Sequence, residues 1–242
     1  MKTLVIIPAR YKSSRFPGKP LVDILGKTLI QRVWEQCIKA FRSTDVYVAT
    51  DDERIKNHCK ENNIQYIMTS LDHQTGTDRV CEAYKKIGKK YSTILNVQGD
   101  EPLIKPQDIL EVANAPNRTP ITVCCGYCKI KFEEEFRNPN IIKLAMTNDK
   151  RLLYASRVGI PTNKNLEFQW GYKQVCIYAF SPLALSEFSK FDRTLLESVE
   201  DIELLRFLDH RYNIQMVEVS RSSIPVDIPE DVEKVKEALR RI

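Results

Sequence analysis

The sequence predicts an α/β protein with a mainly parallel sheet and helices on both of its faces. Apolar runs without alternation, such as residues 4–7, are typical of strands buried on both faces. In the first hundred residues these runs alternate with segments of helical period, and this alternation indicates βαβ units. Right-handed crossovers would bring the loops that follow the strands to one edge of the sheet.

The elements follow in order along the chain. In the first half, strands are predicted at 4–7, 45–50, 64–68 and 91–97, with helices after an N-cap at Thr28, at 53–62 and after the polar loop 70–76. In the second half, strands are predicted at 121–129, 172–180 and 214–219, a hairpin at 141–146 and 151–156, and helices at 182–191, 198–210 and near Val232 to Leu239. We predict one domain, residues 1–242, in which about 130–180 form a smaller, partly antiparallel extension that pairs subunits.

Composition limits the function. The 242 residues are 43% hydrophobic and 29% charged, and 37 Lys and Arg against 32 acidic residues leave a net charge of +5. This mild, scattered excess suits a small anionic substrate and argues against nucleic acid, which favours a clustered basic face. No apolar segment approaches the roughly 20 residues that span a membrane, and no signal peptide is visible, so we expect a cytoplasmic protein.

The seven cysteines are expected to be reduced, because their number is odd and the chain looks cytoplasmic. Cys125 and Cys128 form a C-x-x-C pair, and Cys124 precedes it. No second ligand pair stands at a plausible spacing for zinc, so a strand with small buried side chains is favoured.

A cationic loop follows the first predicted strand. It carries four positive residues within ten positions, Arg10, Lys12, Arg15 and Lys19. Four like charges repel, so we expect an anion among them, and a polyphosphate fits; a solvated basic loop is the alternative. Open α/β sheets bind ligands at the carboxyl ends of their strands, and the prolines beside Gly18 would hold the cations in place.

Two aspartates are candidate metal ligands. Asp100 comes just after the strand predicted at 91–97, a costly place for an uncompensated carboxylate. Hard cations such as Mg²⁺ take carboxylate oxygens and keep coordination free for phosphates. The alternative is a carboxylate that caps the turn before Pro102. Asp227 is equally a good N-cap for the helix after Pro229, and it becomes a second ligand only if the fold brings it to Asp100.

The segment HQTGTDR, residues 73–79, offers Thr77 and backbone amides at a predicted helix start, with Arg79 in the first turn. Helix N-termini bind anions or carbonyl dipoles, whereas a plain cap at Thr77 or Asp78 is the alternative. The chain has no G-x-G-x-x-G, Walker A or G-x-S-x-G pattern, so dinucleotide, P-loop and nucleophile-elbow functions have little support.

Several segments together resemble a known family. They are IIPARYKSSRFPGKPL, ATDD, HQTGTDRV, LNVQGDEP, NPN, YASR and IPVDIPEDVEKV. Their order and spacing are similar to those of the cytidylyltransferases that activate 3-deoxy-manno-octulosonate (Kdo), and they cover nearly the whole chain. HQTGTDR with NVQGDEP is the specific part, since sialic acid cytidylyltransferases share the first loop. The resemblance implies a nucleotidyltransferase-like fold, CTP, Mg²⁺, a homodimer and a place in lipopolysaccharide or capsule synthesis.

The resemblance also implies roles for individual residues. On the nucleotide side, the triphosphate would be held by Arg10, Arg15 and Lys19, and the cytidine would lie near Thr77, Arg79 and Gln98. Asp100 would bind Mg²⁺, Asp227 would complete the metal site, and catalysis would involve Lys19, Arg10 and Asp100. On the sugar side, the family implies contacts from Arg157, Gln174, Tyr178, Glu197 and Glu200.

One departure concerns the acceptor. Gln174 stands where the family usually has a histidine, and glutamine cannot become cationic. The segment RSSIPVDIPED also replaces the family's usual glycine-containing approach to the metal aspartate. Kdo, 8-amino-Kdo and a sialic-acid-like ulosonic acid therefore stay open as acceptors. A non-catalytic nucleotide-binding regulator on the same fold is the alternative from another class.

Overall fold

The computed structural model describes residues 2–12, 15–88, 90–115, 123–221 and 223–241. Its strands are β1 (Thr3–Ala9), β2 (Asp23–Ile24), β3 (Lys27–Thr28), β4 (Val46–Thr50), β5 (Tyr66–Met68), β6 (Thr93–Val97), β7 (Val123–Lys129), β8 (Lys143–Met146), β9 (Leu152–Ser156), β10 (Tyr172–Phe180) and β11 (Ile214–Glu218). Its helices are α1 (Leu29–Ala40), α2 (Glu53–Glu61), α3 (Gly76–Ile87), α4 (Pro106–Asn114), α5 (Glu133–Arg137), α6 (Pro182–Phe188), α7 (Leu195–Glu200), α8 (Leu204–Asp209) and α9 (Pro229–Arg240).

The chain divides into two compact units. The first comprises Met1–Leu110 and Ser222–Ile242, and the second comprises Glu111–Arg221. The expectation of a single domain with an extension at about 130–180 stays a prediction.

The first unit contains a parallel sheet in the order β6–β1–β4–β5. Residues 4–9 of β1 are all buried, as expected for a strand without alternation that is covered on both faces. Ala9 lies opposite Thr50 in the register of β1 and β4. Because the strands run parallel, the residues that follow them, Arg10, Asp51 and Gln98, emerge at one edge. The predicted parallel sheet and its four strands are confirmed.

The helices of this unit begin where side chains satisfy their first amides. Thr28 caps α1 as predicted, with its hydroxyl accepting from Gln31 N. α3 is capped by Thr75, whose hydroxyl accepts from Asp78 N at 3.2 Å, so the alternative of a plain cap at Thr77 or Asp78 is wrong. The cap lies two residues earlier and leaves Thr77 inside the first turn.

The second unit contains a mixed sheet. β7 pairs with β10 antiparallel and with β11 parallel, and β8 pairs antiparallel with both β10 and β9. The predicted hairpin and the partly antiparallel character are therefore confirmed. The register of β10 against β7 shifts between Val175 and Tyr178, which is a β-bulge.

Two expectations about helices differ from the structure. The helix predicted at 198–210 is divided into α7 and α8, because Asp201 adopts the left-handed conformation with a φ of 53° and its N–H closes α7 on Glu197 O. The helices α4 and α5 were not predicted. α5 spans five residues, which is too short for an apolar period to be visible. Residues 121–122 of the strand predicted at 121–129 lie outside the described residues.

The cysteines behave as small apolar residues. None of the seven forms a disulfide, and six of them are buried. Burial raises the pKa of Cys124 and Cys125 to about 12, so neither is a reactive thiolate at neutral pH. The prediction of a buried strand at the C-x-x-C pair is confirmed. Within the described ranges, no helix has the length and apolarity needed to cross a membrane.

Candidate active site

The basic loop after β1 is closed through contacts with Tyr11. Gly18 N donates to Tyr11 O at 2.9 Å, and Gly18 has a φ of 76°, a conformation that favours glycine. The guanidinium carbon of Arg54 lies 3.2 Å from the centre of the Tyr11 ring, in a cation–π arrangement. Lys19 begins a 3₁₀ turn immediately afterwards. These contacts hold the backbone at Gly18, from which Lys19 follows directly.

Lys19 meets two carboxylates that are remote in sequence. Its Nζ donates to Asp100 Oδ2 at 2.9 Å and lies 3.9 Å from Asp227 Oδ1. It also donates to the backbone oxygen of Val226 at 2.8 Å. Arg15 adds a second cation, with Nη2 3.3 Å from Asp227 Oδ1. The structure thus brings together four residues that were predicted to act on the nucleotide and the metal.

Backbone contacts hold the two aspartates in one place. Val226 N donates to Asp100 O at 2.9 Å, so the segment before α9 is bonded to the loop after β6. Asp231 accepts from the backbone N–H groups of Asp227 and Ile228, as the N3 residue of a capping box whose N-cap residue is Ile228. The N-cap alternative for Asp227 is therefore wrong, and the Asp227 carboxylate faces the cations.

The neighbouring charges shift the pKa of Asp227 in opposite directions. Burial raises the pKa of Asp227, and the neighbouring charge of Asp100 raises it further, while Lys19 and Arg15 oppose both effects. Lys19 remains only 17% exposed, so water screens its ion pairs weakly. The cluster is most stable when positive charge stands near both acids.

The donor set also suits a hard divalent cation. Mg²⁺ is usually held by one or two carboxylates and completes its coordination with water and substrate phosphates. Within the described part of the chain, no group of three or more His, Cys, Asp or Glu side chains is placed to hold a metal. A metal at Asp100 and Asp227 would therefore depend on oxygens from a bound nucleotide, and the two residues fit that arrangement.

Arg79 and Thr77 lie below this sheet edge rather than on its surface. Arg79 is fully buried, with Nη2 3.0 Å from Asp51 Oδ2 and Nη1 donating to the Thr69 hydroxyl. Burial lowers the pKa of Arg79, and Asp51 acts against that shift. The predicted cytidine contact of Arg79 stays a prediction, and the atom that the structure leaves for it is Nε, which has no partner among the described residues.

Three residues of this buried layer were not predicted as site residues: Asp51, Thr69 and Asn96. Asn96 Nδ2 donates to the Thr77 hydroxyl at 3.3 Å, and Asn96 Oδ1 has no partner among the described residues. Asn96 was visible as a polar residue between the apolar residues Leu95 and Val97 of the predicted strand. Asp51 directly follows β4, and Asp100 comes shortly after β6. An aspartate after a strand of the parallel sheet was therefore the sequence feature that could have marked Asp51 as a site residue.

Glu82 fixes the loop that leads into α3. Its carboxylate accepts from Ser70 N at 2.8 Å and from His73 Nε2, and it pairs with Lys86 at 2.7 Å. Although burial alone would raise the pKa of Glu82, these bonds lower it to about 2. The loop that presents Thr75 and Thr77 is thus anchored by a permanent charge at neutral pH.

Arg10 and Gln98 both follow strands of the parallel sheet, and their predicted ligand contacts stay predictions. Arg10 is exposed, and its charge contributes to the lowered pKa of Arg79, so it lies near that side chain. Gln98 is half-buried.

In the second unit, Arg157 and Glu200 bind each other. Arg157 N donates to Glu200 Oε2 at 2.9 Å, and its guanidinium donates to the backbone oxygens of Glu200, Pro139 and Asp201. The other oxygen of Glu200 accepts from the Ser156 hydroxyl at 2.8 Å. The predicted sugar contacts of Arg157 and Glu200 stay predictions, and any such contact would be made from a side chain that the protein already holds in place.

Glu197 forms a buried ion pair. Its two oxygens accept from Arg206 Nε at 2.6 Å and Nη2 at 2.7 Å, and Glu197 is only 1% exposed. Such a bidentate pair fixes α7 against α8. The predicted sugar contact of Glu197 stays a prediction that would require this pair to open.

Gln174 and Tyr178 are neighbours across the β-bulge. Gln174 Nε2 donates to Tyr178 Oη at 2.9 Å and to Cys125 Sγ at 3.4 Å. Gln174 Oε1 is buried and has no partner among the described residues. Burial raises the pKa of Tyr178 well above its usual value, so its hydroxyl stays protonated. The amide oxygen of Gln174 is therefore an acceptor that lacks a donor within the described protein.

Comparison with known proteins identifies the family. The profile of the cytidylyltransferase family matches residues 4–216. The 3-deoxy-manno-octulosonate cytidylyltransferase of Protochlamydia amoebophila is 41% identical over 240 residues, which are 97% of this chain and 93% of that protein. The chain belongs to the 3-deoxy-manno-octulosonate cytidylyltransferase family.

Two further relatives mark the range of this family. The 8-amino-3,8-dideoxy-manno-octulosonate cytidylyltransferase of Shewanella sp. strain ANA-3 is 39% identical over 243 residues, 99% of each chain. A solved CMP:2-keto-3-deoxy-manno-octonic acid synthetase in complex with CTP is 35% identical, superposes with a TM-score of 0.90 and covers 100% of this chain and 99% of its own. Cytidylyltransferase membership confirms the predicted fold class and the predicted enzyme class.

Gly18 gives a test of the loop in this cytidylyltransferase. A Cβ at Gly18 would lie 3.0 Å from Tyr11 Oη and 3.1 Å from Cζ, whereas a Cβ at Gly26, with a similar φ of 78°, meets nothing within 4 Å. Alanine costs about 1–2 kcal/mol of backbone strain at either position. We expect Gly18→Ala to raise the KM for CTP by about ten-fold or more, because displacement of the loop moves its cations.

Gly26→Ala is the matched control, and steady-state kinetics with CTP are the measurement. Because the backbone strain is the same, Gly26→Ala should lower the melting temperature by about as much as Gly18→Ala does. It should leave the KM for CTP within about two-fold of the parent value. Equal KM values in the two variants would show that the Tyr11 contact does not set the position of the cations.

Proposed function

We propose that this chain transfers CMP from CTP to the anomeric hydroxyl of Kdo or a close analogue and releases pyrophosphate. The observation that carries the proposal is the grouping of Lys19, Arg15, Asp100 and Asp227 at the carboxyl edge of a parallel sheet. The proposal is supported by the names of the relatives and by the CTP complex of the solved one.

The chemistry is a substitution at phosphorus. The C2 hydroxyl of the sugar acid forms a bond to the α-phosphorus of CTP, the bond from that phosphorus to the bridging oxygen breaks, and pyrophosphate leaves with the electron pair. The hydroxyl proton passes to solvent. The protein contributes position and charge, so Arg10, Arg15 and Lys19 stabilise the negative charge that grows on the leaving group.

We also propose that Mg²⁺ is the cofactor and that Asp100 and Asp227 hold it. When bound, the ion would act as a Lewis acid on phosphate oxygens. The two carboxylates would hold the ion in place. Lys19 contacts both of them, so its ammonium group is also close enough to bind a phosphate oxygen of the nucleotide.

The acceptor is the finer part of the proposal. Relatives of nearly equal identity are named for Kdo and for its 8-amino analogue. Gln174 offers a buried amide oxygen that can accept from either a hydroxyl or an ammonium group. Kdo is our first candidate because relatives named for it have the higher identity, and the 8-amino sugar is the second because a neutral amide does not repel an ammonium as a protonated histidine would.

The deciding experiment is an acceptor screen with the purified protein, CTP and Mg²⁺. Kdo, 8-amino-Kdo and a sialic acid are supplied separately, and pyrophosphate and the CMP-sugar are both quantified. We expect turnover with Kdo or 8-amino-Kdo and little with sialic acid. Turnover with sialic acid alone would overturn the acceptor assignment, and CTP binding without any turnover would favour the non-catalytic regulator.

Asp100 is the sharpest single test of the mechanism. Asp100→Asn keeps the shape and removes the charge, so we expect the kcat to fall by about 100-fold or more while CTP still binds. Calorimetry measures CTP binding, and a coupled pyrophosphate assay measures the kcat. The exposed Asp192 offers the control Asp192→Asn, which should be near normal. A kcat within a few-fold of the parent value would remove Asp100 from the mechanism.

We further propose a cytoplasmic homodimer. None of the seven cysteines forms a disulfide, which suits a reducing compartment. Helix α7 leaves three apolar side chains in solvent, Leu195 at 79%, Leu196 at 38% and Val199 at 75% exposed. Apolar residues one turn apart on a helix are typical of a face that a partner covers, and a second copy of the chain is the partner that we propose.

Light scattering coupled to size-exclusion chromatography tests the dimer. We expect the parent protein to elute with the mass of two chains and the double variant Leu195→Asp, Val199→Asp to elute as a monomer. Leu71→Asp, at a residue that is 66% exposed in the first unit, is the control and should remain a dimer. A monomeric parent protein, or a double variant that stays dimeric, would contradict the proposed face.

A further inference from the structure

Lys143 carries a cation into the interior of the second unit. Lys143 is fully buried at the start of β8, and the hydrogen bonds that its ammonium group makes to the described residues run to backbone oxygens. An isolated buried ammonium is costly unless its N–H groups are all bonded. The structure supplies those bonds from the backbone: Nζ donates to Asn138 O at 2.8 Å, to Ile141 O at 2.6 Å and to Arg157 O.

The three oxygens come from two separate segments. Asn138 and Ile141 bound the turn that precedes β8, and Arg157 directly follows β9. β8 and β9 pair antiparallel with Lys143 opposite Ser156, which brings the lysine beside the peptide group after Ser156. One ammonium with three donors thus meets three acceptors and ties the turn 138–141 to the end of β9.

Arg157 is held on its other side by Glu200. Its N–H donates to Glu200 Oε2 at 2.9 Å, and its guanidinium donates to Pro139 O at 3.0 Å and Asp201 O at 3.1 Å. Both backbone polar groups of Arg157 are therefore fixed by a charged side chain, the N–H by a carboxylate and the carbonyl by the ammonium of Lys143.

We propose that Lys143 is a positioning residue that replaces a bound monovalent cation, gathering the carbonyls of residues 138, 141 and 157 and so fixing Arg157 for the acceptor sugar. The part that concerns the sugar rests on the proposed function. Three converging carbonyl oxygens are the ligand type of potassium or ammonium, and here the cation is covalently part of the chain. A covalently attached ammonium group occupies the site without a cation from solution.

The electrostatic surroundings on balance disfavour the charged form of Lys143, so its hydrogen bonds have to hold the cation in place. Burial and the charge of Arg157 lower the pKa of Lys143 to about 8, while Glu200 on α7 raises it. Lys173 lies opposite on β10, but it pairs with Glu135 at 2.6 Å. The three carbonyls favour the charged form further, because only the ammonium has a donor for each of them.

The test removes the cation and returns one from solution. Lys143→Ala is assayed in potassium or ammonium chloride and in tetramethylammonium chloride, whose ion is too large for the site. In tetramethylammonium chloride we expect the KM for the acceptor to rise by at least about ten-fold, while the KM for CTP stays within about two-fold of the parent value. Potassium or ammonium should restore the KM for the acceptor. Lys173→Met, which removes a neighbouring cation of the same sheet, is the matched control and should not show this split.

Hydrogen exchange gives a second readout that does not depend on activity. In Lys143→Ala, the amides of residues 138, 140–142 and 154–158 should exchange faster, and ammonium should slow them again. If Lys143→Ala does not fold, Lys143→Met keeps the apolar stem and is measured in its place. Exchange and acceptor KM both unchanged would overturn the proposal. Absence of turnover in the parent protein would overturn the proposed function, while the exchange result would still decide the role of Lys143.

Discussion

The repulsion between the carboxylates of Asp100 and Asp227 is the constraint on which the site depends. Asp100 raises the pKa of Asp227, and burial does the same, so the pair is stable only with positive charge close by. Lys19 and Arg15 supply that charge from the loop after β1. A site of this kind holds a cation between two acids and turns the remaining positive charge toward an incoming anion, as nucleotidyl transfer requires.

In the second unit, charged side chains are likewise bonded to partners within the unit. Glu197 is bonded to Arg206, Glu200 to Arg157, and Lys143 to three backbone carbonyls. Buried charges that lack a partner are costly, so each of these groups had to find one inside the unit. Residues that family resemblance assigns to the sugar are thereby preorganised, and their freedom to meet a ligand is limited to the atoms that the network leaves unbonded, of which Gln174 Oε1 is one.

Much of the fold was visible in the sequence. Non-alternating apolar runs predicted β1, β4 and β6, and the Thr28 cap of α1 followed from residue type alone. The failures have local causes. A left-handed residue at Asp201 interrupts a segment whose helical period continues through it. The N-caps of α3 and α9 are Thr75 and Ile228 rather than the candidates Thr77, Asp78 and Asp227. Several polar residues compete for each cap, and only backbone geometry chooses between them.

The sequence by itself determined the alternation of strands and helices, the cationic loop after the first strand and the family to which the chain belongs, because each of these is written in local residue order. Only the tertiary structure decided that Lys19, Asp100 and Asp227 are neighbours, that Arg79 is buried against Asp51, and that Arg157 is held by Lys143 and Glu200. Such contacts join residues that are far apart along the chain. Pairing between strands and the packing of α9 set their distances, and local residue order carries no record of either.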